Sequence, residues 1–237
     1  MKFSSPLIRS TLVKRYKRFL SDHEQEDGTI VTAHCANPGA MLGLTRPGSE
    51  TWLSPADNPR RKLRYTWEMI RVEAGAHGLV GINTTHPNSI VAASIQAGEV
   101  AELKGYANIR REVKYGENSR IDILLEAEGV PPCYVEIKNV HLRRRGTIAE
   151  FPDSVTKRGA KHLDELAKVV EAGGRAVMFY LVQRSDCDSF SLAADIDPAY
   201  AEAFAAAHAS GIEAICYSCA LSTDEIRLGH PIPIDTD

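Results

Sequence analysis

Residues 120–140 read Arg-Ile-Asp-Ile-Leu-Leu-Glu-Ala-Glu-Gly-Val-Pro-Pro-Cys-Tyr-Val-Glu-Ile-Lys-Asn-Val, and the way they pair decides the fold. Two apolar runs, 121–125 and 133–140, flank Glu128, Gly129, Val130, Pro131 and Pro132, so they read as two strands joined by a turn. Each strand carries charge where an apolar residue is expected: Asp122 between Ile121 and Ile123, and Glu136 two residues before Lys138. Alternation puts residues i and i+2 on one face, so Glu136 and Lys138 point the same way. If the register turns Asp122 to that face, three ionisable groups converge. Burial penalises a lone carboxylate, and two carboxylates on neighbouring strands repel unless a cation lies between them. Oxygen ligands of this kind suit Mg²⁺ or Mn²⁺. A lysine beside such an ion can orient a water and stabilise charge developing on a phosphate. The other reading of the same residues is a solvated hairpin face with a Glu/Lys pair, and the motif alone leaves both open.

An aspartate followed about a dozen residues later by Glu-x-Lys resembles the PD-(D/E)xK nuclease superfamily, with Arg120 and Ile121 standing where that name has proline before the aspartate. The surrounding pattern agrees with it. Asn88 or Ser89 can cap a helix reaching to about residue 100, through Ile90, Val91, Ile95 and Val100. Glu99 and Glu102 near its end each offer a further carboxylate. A strand at 109–115, the two central strands, a helix at 153–170, a strand at 176–182, a helix at 198–209, a strand at 212–220 and a polar tail follow. That order predicts a mixed sheet with helices on its faces.

Before residue 85 the pattern is different. Short strands at 12–20, 29–34, 50–53, 65–72 and 79–82 alternate with Gly-, Pro- and Asn-rich turns, which suggests a small OB-like barrel. The chain therefore reads as α+β, with an OB-like nucleic-acid-binding domain over 1–84 and a nuclease-like domain over 85–237. Basic residues interleave with aromatics at Lys14, Arg15, Tyr16, Arg18 and Phe19, and again at Arg60, Arg61, Lys62, Arg64, Tyr65 and Trp67. Cations pair with phosphates and rings stack on unpaired bases, so both clusters are candidates for nucleic-acid contact. His34 and Asn37 lie in His-Cys-Ala-Asn-Pro-Gly at a turn and join that set, although Asn-Pro-Gly also explains itself as turn chemistry.

Charge is divided along the chain. Residues 1–185 hold 27 Lys and Arg against 21 Asp and Glu, whereas residues 186–237 hold Arg227 alone against ten acids. A nucleic-acid surface is thus expected in the first part. No apolar run of about 18 residues is present, and Met-Lys-Phe-Ser-Ser-Pro-Leu-Ile-Arg-Ser lacks a signal peptide's apolar core, so a cytoplasmic protein that does not cross a membrane is expected. Five scattered cysteines fit a reducing compartment. Cys216 and Cys219 form Cys-x-x-C, but inside an apolar strand-like run and without a second pair.

Taken together, His-Cys-Ala-Asn-Pro-Gly, Arg-Arg-Lys-Leu-Arg-Tyr, Asn88-Ser-Ile-Val91, Glu102-Leu103, Ser-Arg-Ile-Asp, Val-Glu-Ile-Lys-Asn-Val and Phe-Pro-Asp-Ser-Val-Thr-Lys-Arg-Gly-Ala-Lys-His-Leu resemble the sugar fermentation stimulation protein A family over nearly the whole chain. The resemblance implies an OB-like domain followed by a nuclease-like domain, DNA as partner and a link to sugar (maltose) metabolism. Carried over, it implies Asp122 and Glu136 as metal ligands, Glu102 as the helix carboxylate, Lys138 as the catalytic lysine, and Arg120, Lys161 and His162 as phosphate-contacting groups. Two functions follow: a metal-dependent nuclease acting on DNA, or a non-catalytic, largely non-specific DNA-binding regulator. No helix-turn-helix is legible, and direct sugar chemistry has only the family's name behind it.

Overall fold

The computed structural model describes residues 1–58, 60–72, 78–116 and 119–235. The first strands are β1 (Ile8–Tyr16), β2 (Leu20–Gln25), β3 (Ile30–Cys35), β4 (Glu50–Pro55), β5 (Tyr65–Val72) and β6 (Gly78–Gly81). The first five run in the order β3-β2-β1-β4-β5, and β3 pairs in parallel with β5 to close a five-stranded OB-like barrel, with β6 added beside β5. One expectation is corrected here. The basic run 12–20 is not one strand, because Lys17 and Arg18 adopt φ of +46° and +63° and reverse the chain between β1 and β2. β2, Leu-Ser-Asp-His-Glu-Gln, escapes a hydrophobic reading because its inward residues are Ser21 and His23. The buried His23 ring hydrogen-bonds Ser21 Oγ (2.8 Å) and Thr51 Oγ1 (2.9 Å) and meets Trp67 edge-on, which satisfies its polar atoms inside the barrel.

The rest of the chain forms α1 (Pro87–Gln96), β7 (Asn108–Tyr115), β8 (Ser119–Ala127), β9 (Val130–Val140), β10 (Leu142–Arg145), β11 (Ile148–Phe151), α2 (Lys157–Glu171), β12 (Arg175–Val182), β13 (Ser189–Leu192), α3 (Pro198–Ala209), β14 (Glu213–Leu221), β15 (Ile226–Pro231) and β16 (Ile234–Asp235). A mixed sheet has the order β15-β14-β12-β9-β8-β7, with β12 parallel to both β9 and β14. α1 covers one face through Ile90, Val91 and Ile95, while α2 and α3 cover the other through Leu163, Leu166, Tyr200 and Phe204. β12 is buried from Ala176 to Val182, as a central strand between two layers requires. A second, four-stranded sheet, β10-β11-β13-β16, occupies what reads in the sequence as loop and polar tail, because its strands are too short to show a period.

Two helix boundaries also differ from expectation. His86 is the N-cap residue of α1, with Pro87 in the first turn, and the helix stops at Gln96 before a separate 3-10 turn over Ala101–Leu103. α2 begins at Lys157, where Thr156 Oγ1 accepts from Gly159 N (3.1 Å), rather than at Asp153. Asp153 is used differently: its Oδ2 accepts from Met41 N of the barrel (2.9 Å) and from His141 Nε2 (3.2 Å), which joins the two halves. Burial raises that carboxyl, but the hydrogen bond and charge of His141 and the Met41 amide outweigh it and bring it to about 2. A β-carbon on Gly39 would overlap the Asp153 carboxylate, so glycine is required at this approach. Cys216 and Cys219 are free and pack into the cores on opposite faces of the sheet, which removes the Cys-x-x-C reading. Among the described residues no helix is long and apolar enough to cross a membrane.

Burial holds the His23 imidazole down at about 4, against 6.5 unperturbed. The unfolded chain therefore binds the proton first as pH falls, and the His23 contribution to stability drops between pH 6.5 and about 4, by roughly 3 kcal/mol. Urea melts across that range should show the native protein losing about that much stability relative to His23→Gln, since other titrating groups act alike in both, whereas the Asp153 contribution is lost only at lower pH.

Candidate functional site

The hairpin β8–β9 is paired at Leu125↔Cys133, Leu124↔Tyr134 and Ile123↔Val135, which is its last pair. The next residue, Asp122, substitutes its side chain for a ladder carbonyl: Oδ2 accepts from Ile137 N (2.8 Å), while Oδ1 accepts from Asn88 Nδ2 in the first turn of α1 (2.7 Å). Glu136 points toward α2, where its Oε1 accepts from Lys138 Nζ (2.8 Å) and from His162 Nδ1. Arg158 Nε donates to His162 Nε2 (3.2 Å), so the imidazole proton resides on Nδ1 and is given to Glu136. Among the described residues the second oxygen, Glu136 Oε2, is buried with no hydrogen-bond partner, and so is the nearby Tyr115 hydroxyl.

The two carboxyls are driven apart electrostatically. Asp122 is raised to about 6, first by burial and then by the negative charge of Glu136, against the opposing hydrogen bonds from Ile137 and Asn88. Burial also raises Glu136, but the His162 hydrogen bond and the Lys138 charge carry it below the usual value. Tyr115 is raised by burial and by facing Glu136, Glu165 and Asp122. Such a set is a buried acidic cluster with a cation on one side. Divergent carboxyl pKa values in neighbouring buried groups are a mark of functional sites.

Asp122, Glu136, Lys138 and His162 are thus brought together. Glu102 is not: it lies exposed on the 3-10 turn, where its Oε2 accepts from Tyr217 OH (2.7 Å). Arg120 is exposed and donates to Glu112 O (3.3 Å), and Lys161 is exposed beside His162 on α2. Among the described residues no group of three or more His, Cys, Asp or Glu is arranged to hold a metal. Asn88 and Tyr115 are the members that sequence reasoning does not assign. Asn88 reads as a helix cap until the cap is found at His86, and Tyr115 reads as an ordinary strand aromatic.

The barrel residues divide. Arg15 and Asn37 are structural: the Arg15 guanidinium donates to the carbonyls of Asn37 (2.9 Å) and Gly39 (3.0 Å), and buried Asn37 donates to Ile82 O (2.9 Å). Lys14 pairs with Asp22 (3.5 Å) over the Tyr16 ring, and Arg61 donates to Thr66 Oγ1 (3.0 Å). Arg18, Arg60, Lys62 and Arg64 are exposed. Phe19, 45% exposed, stacks on His34, whose imidazole is lowered by burial and by the charge of Arg61. The start of α1 links this barrel to the acidic pocket, because His86 hydrogen-bonds Glu68 of β5 (2.7 Å) two residues before Asn88 reaches Asp122.

Family models match both parts of the chain: an N-terminal OB domain of SfsA over residues 13–82, and the sugar fermentation stimulation protein RE domain over 85–225. The chain belongs to the sugar fermentation stimulation protein family. Within that family it is similar to the sugar fermentation stimulation protein homolog of Paramagnetospirillum magneticum, with 62% identity over 99% of this chain and 98% of that one. It is 60% identical to the homolog of Rhodospirillum centenum over 96% of this chain and 97% of the other. Among solved structures, Pyrococcus furiosus SfsA in complex with Ca²⁺ superposes with a TM-score of 0.88 at 25% identity, covering 99% of this chain and 98% of that one.

The raised Asp122 carboxyl predicts a measurable cost. Its folded pKa lies above 3.8, so stability falls as pH rises from 3.8 to about 6. Asp122→Asn should therefore melt higher at pH 7 in EDTA, by on the order of 2 kcal/mol, and match the native protein near pH 3.5. Thermal melts at the two pH values check this.

Proposed function

We propose that this protein binds DNA and cleaves its phosphodiester backbone at the Asp122, Glu136 and Lys138 site with Mg²⁺ or Mn²⁺. The observation that carries the reading is Glu136 Oε2, a buried carboxylate oxygen left without a partner among the described residues, beside a second carboxyl. An oxygen in that state loses hydration without replacement, and a divalent cation between the two carboxyls offsets both costs. Two carboxylates suffice as protein donors, since Mg²⁺ keeps several waters and takes one or two carboxylates. The Pyrococcus relative was solved with Ca²⁺, another cation that takes oxygen ligands. Bound at this site, the cation supplies a water of lowered pKa and polarises a phosphoryl oxygen.

The chain's own residues do the rest. Asn88 and the Ile137 amide orient Asp122, while His162, fixed by Arg158, orients Glu136. Lys138, 13% exposed at its side chain, holds a positive charge at the pocket to meet charge developing on the phosphate. Phe19 and His34 offer a stacking surface and the exposed basic residues of 60–64 pair with phosphates, which suits single-stranded or general DNA binding. A second reading, a non-catalytic DNA-binding regulator of sugar metabolism, is favoured by a different observation: both Asp122 oxygens and the Lys138 ammonium already have protein partners.

Incubation with single-stranded, double-stranded and branched DNA in Mg²⁺, Mn²⁺ or EDTA separates the two. The nuclease reading expects metal-dependent product that drops about 10²- to 10³-fold in Lys138→Ala with binding retained. Binding without product on every substrate would leave the regulator.

A further inference from the structure

Away from the acidic pocket, a cavity of about 320 Å³ opens between the barrel and the second sheet. Its barrel wall includes Arg46, Ser49 and Val72, and its opposite wall is Arg143, Arg144 and Arg145 of β10 with Arg184. Ser49 and Val72 flank the Glu50 end of the β4–β5 pair, whereas the basic stretch 60–64 follows the Pro55↔Tyr65 end, so this cleft is at the other end of the barrel. The proposal does not depend on the metal reading of Asp122 and Glu136.

The guanidiniums are held from behind. Arg144 forms a fork on Glu150 (2.8 and 2.9 Å) and a second on Asp195 (2.6 and 2.8 Å). Arg184 and Arg143 share the buried Asp186, at 2.8 and 2.5 Å. Arg145 touches Glu150 only at 3.3 Å and is 65% exposed. Four guanidiniums of one wall therefore meet three carboxylates, and two of those, Glu150 and Asp186, are buried and saturated. Arginine forks anchored on buried acids lose little freedom when they take a second partner, which is how planar, bidentate phosphate recognition is built. A structural salt-bridge network alone accounts for Arg144 and Arg184. It leaves positive charge in surplus on this wall, because Arg143, whose Nε is given to the Gly146 carbonyl, shares its single acid with Arg184, and the exposed Arg145 shares Glu150 with Arg144. The volume falls at the lower end of the roughly 300–1,000 Å³ of ligand sites.

We infer that this arginine cleft between the two halves is a second binding site, for a ligand carrying two or more linked phosphates. The same chemistry is offered by a free polyphosphate-bearing nucleotide and by consecutive backbone phosphates of a nucleic acid. Inorganic tripolyphosphate is the probe, titrated calorimetrically into the full chain at 0.15 M salt in EDTA, beside Arg143→Ala and Arg145→Ala. Each substitution leaves its acid paired with a remaining arginine, and a thermal melt confirms the fold. Binding by the native protein, weakened about tenfold in each variant, is the expected result. Displacement of tripolyphosphate by a single-stranded DNA oligomer assigns the site to backbone phosphates, and its persistence assigns the site to a free polyphosphate. No binding by the native protein, or native affinity retained in both variants, would overturn the inference.

Discussion

The carboxylate of Asp122 stands where β8 would otherwise present a backbone carbonyl, and it takes the N–H of Ile137 in that carbonyl's place. The hairpin ladder ends one residue earlier, at Ile123↔Val135, so the strands are held together past their last regular pair by a side chain. From this one substitution the rest of the pocket follows. The other Asp122 oxygen is free to receive Asn88, which fixes the start of α1 over the sheet, and His86 just before it ties the same helix to Glu68 of the barrel. On the far side, Glu136 is clamped by Lys138 and by His162 of α2. A single buried acid is thereby surrounded by groups drawn from β9 and α1, and its neighbour by groups from β9 and α2.

Electrostatics at this place work against stability. Two neighbouring carboxyls in low-dielectric surroundings disfavour each other's ionised form, and among the described residues one Glu136 oxygen and the Tyr115 hydroxyl have no partner. Native chains keep such unfavourable groups chiefly where they serve a site. A hydrophobic pair at 122 and 136 would pack the same strands without that cost.

Much of this was legible in the sequence, because strand alternation fixes the relation between Glu136 and Lys138 and the two apolar runs mark the hairpin, although its turn is Glu128-Gly129 alone and the expected turn residues Val130, Pro131 and Pro132 already belong to β9. The barrel was legible from turn residues at regular spacing. β2 was not, since its buried face is Ser21 and His23 and the turn before it uses Lys17 and Arg18 at positive φ, which no local signal marks. Glu102 sat at the right spacing from the preceding helix, but that helix ends at Gln96 and the 3-10 turn sends the carboxylate to Tyr217. Arg15 and Asn37 looked like ligand contacts because polar side chains that satisfy backbone carbonyls are indistinguishable in sequence from those that face a phosphate. The division of charge along the chain also changes meaning in three dimensions: Asp186 and Asp195 of the acidic last part fold onto Arg143 and Arg144, so acid and base far apart in sequence form one cleft.

The central claim is that Asp122 and Glu136 hold a divalent cation between them. Its most direct test is a Mn²⁺ titration of the metal-free protein, followed by the spin-resonance signal of the free ion, beside Glu136→Gln. The account predicts one Mn²⁺ taken up per chain by the native protein and none by the variant. Equal uptake by both, or no uptake by the native protein, would contradict it.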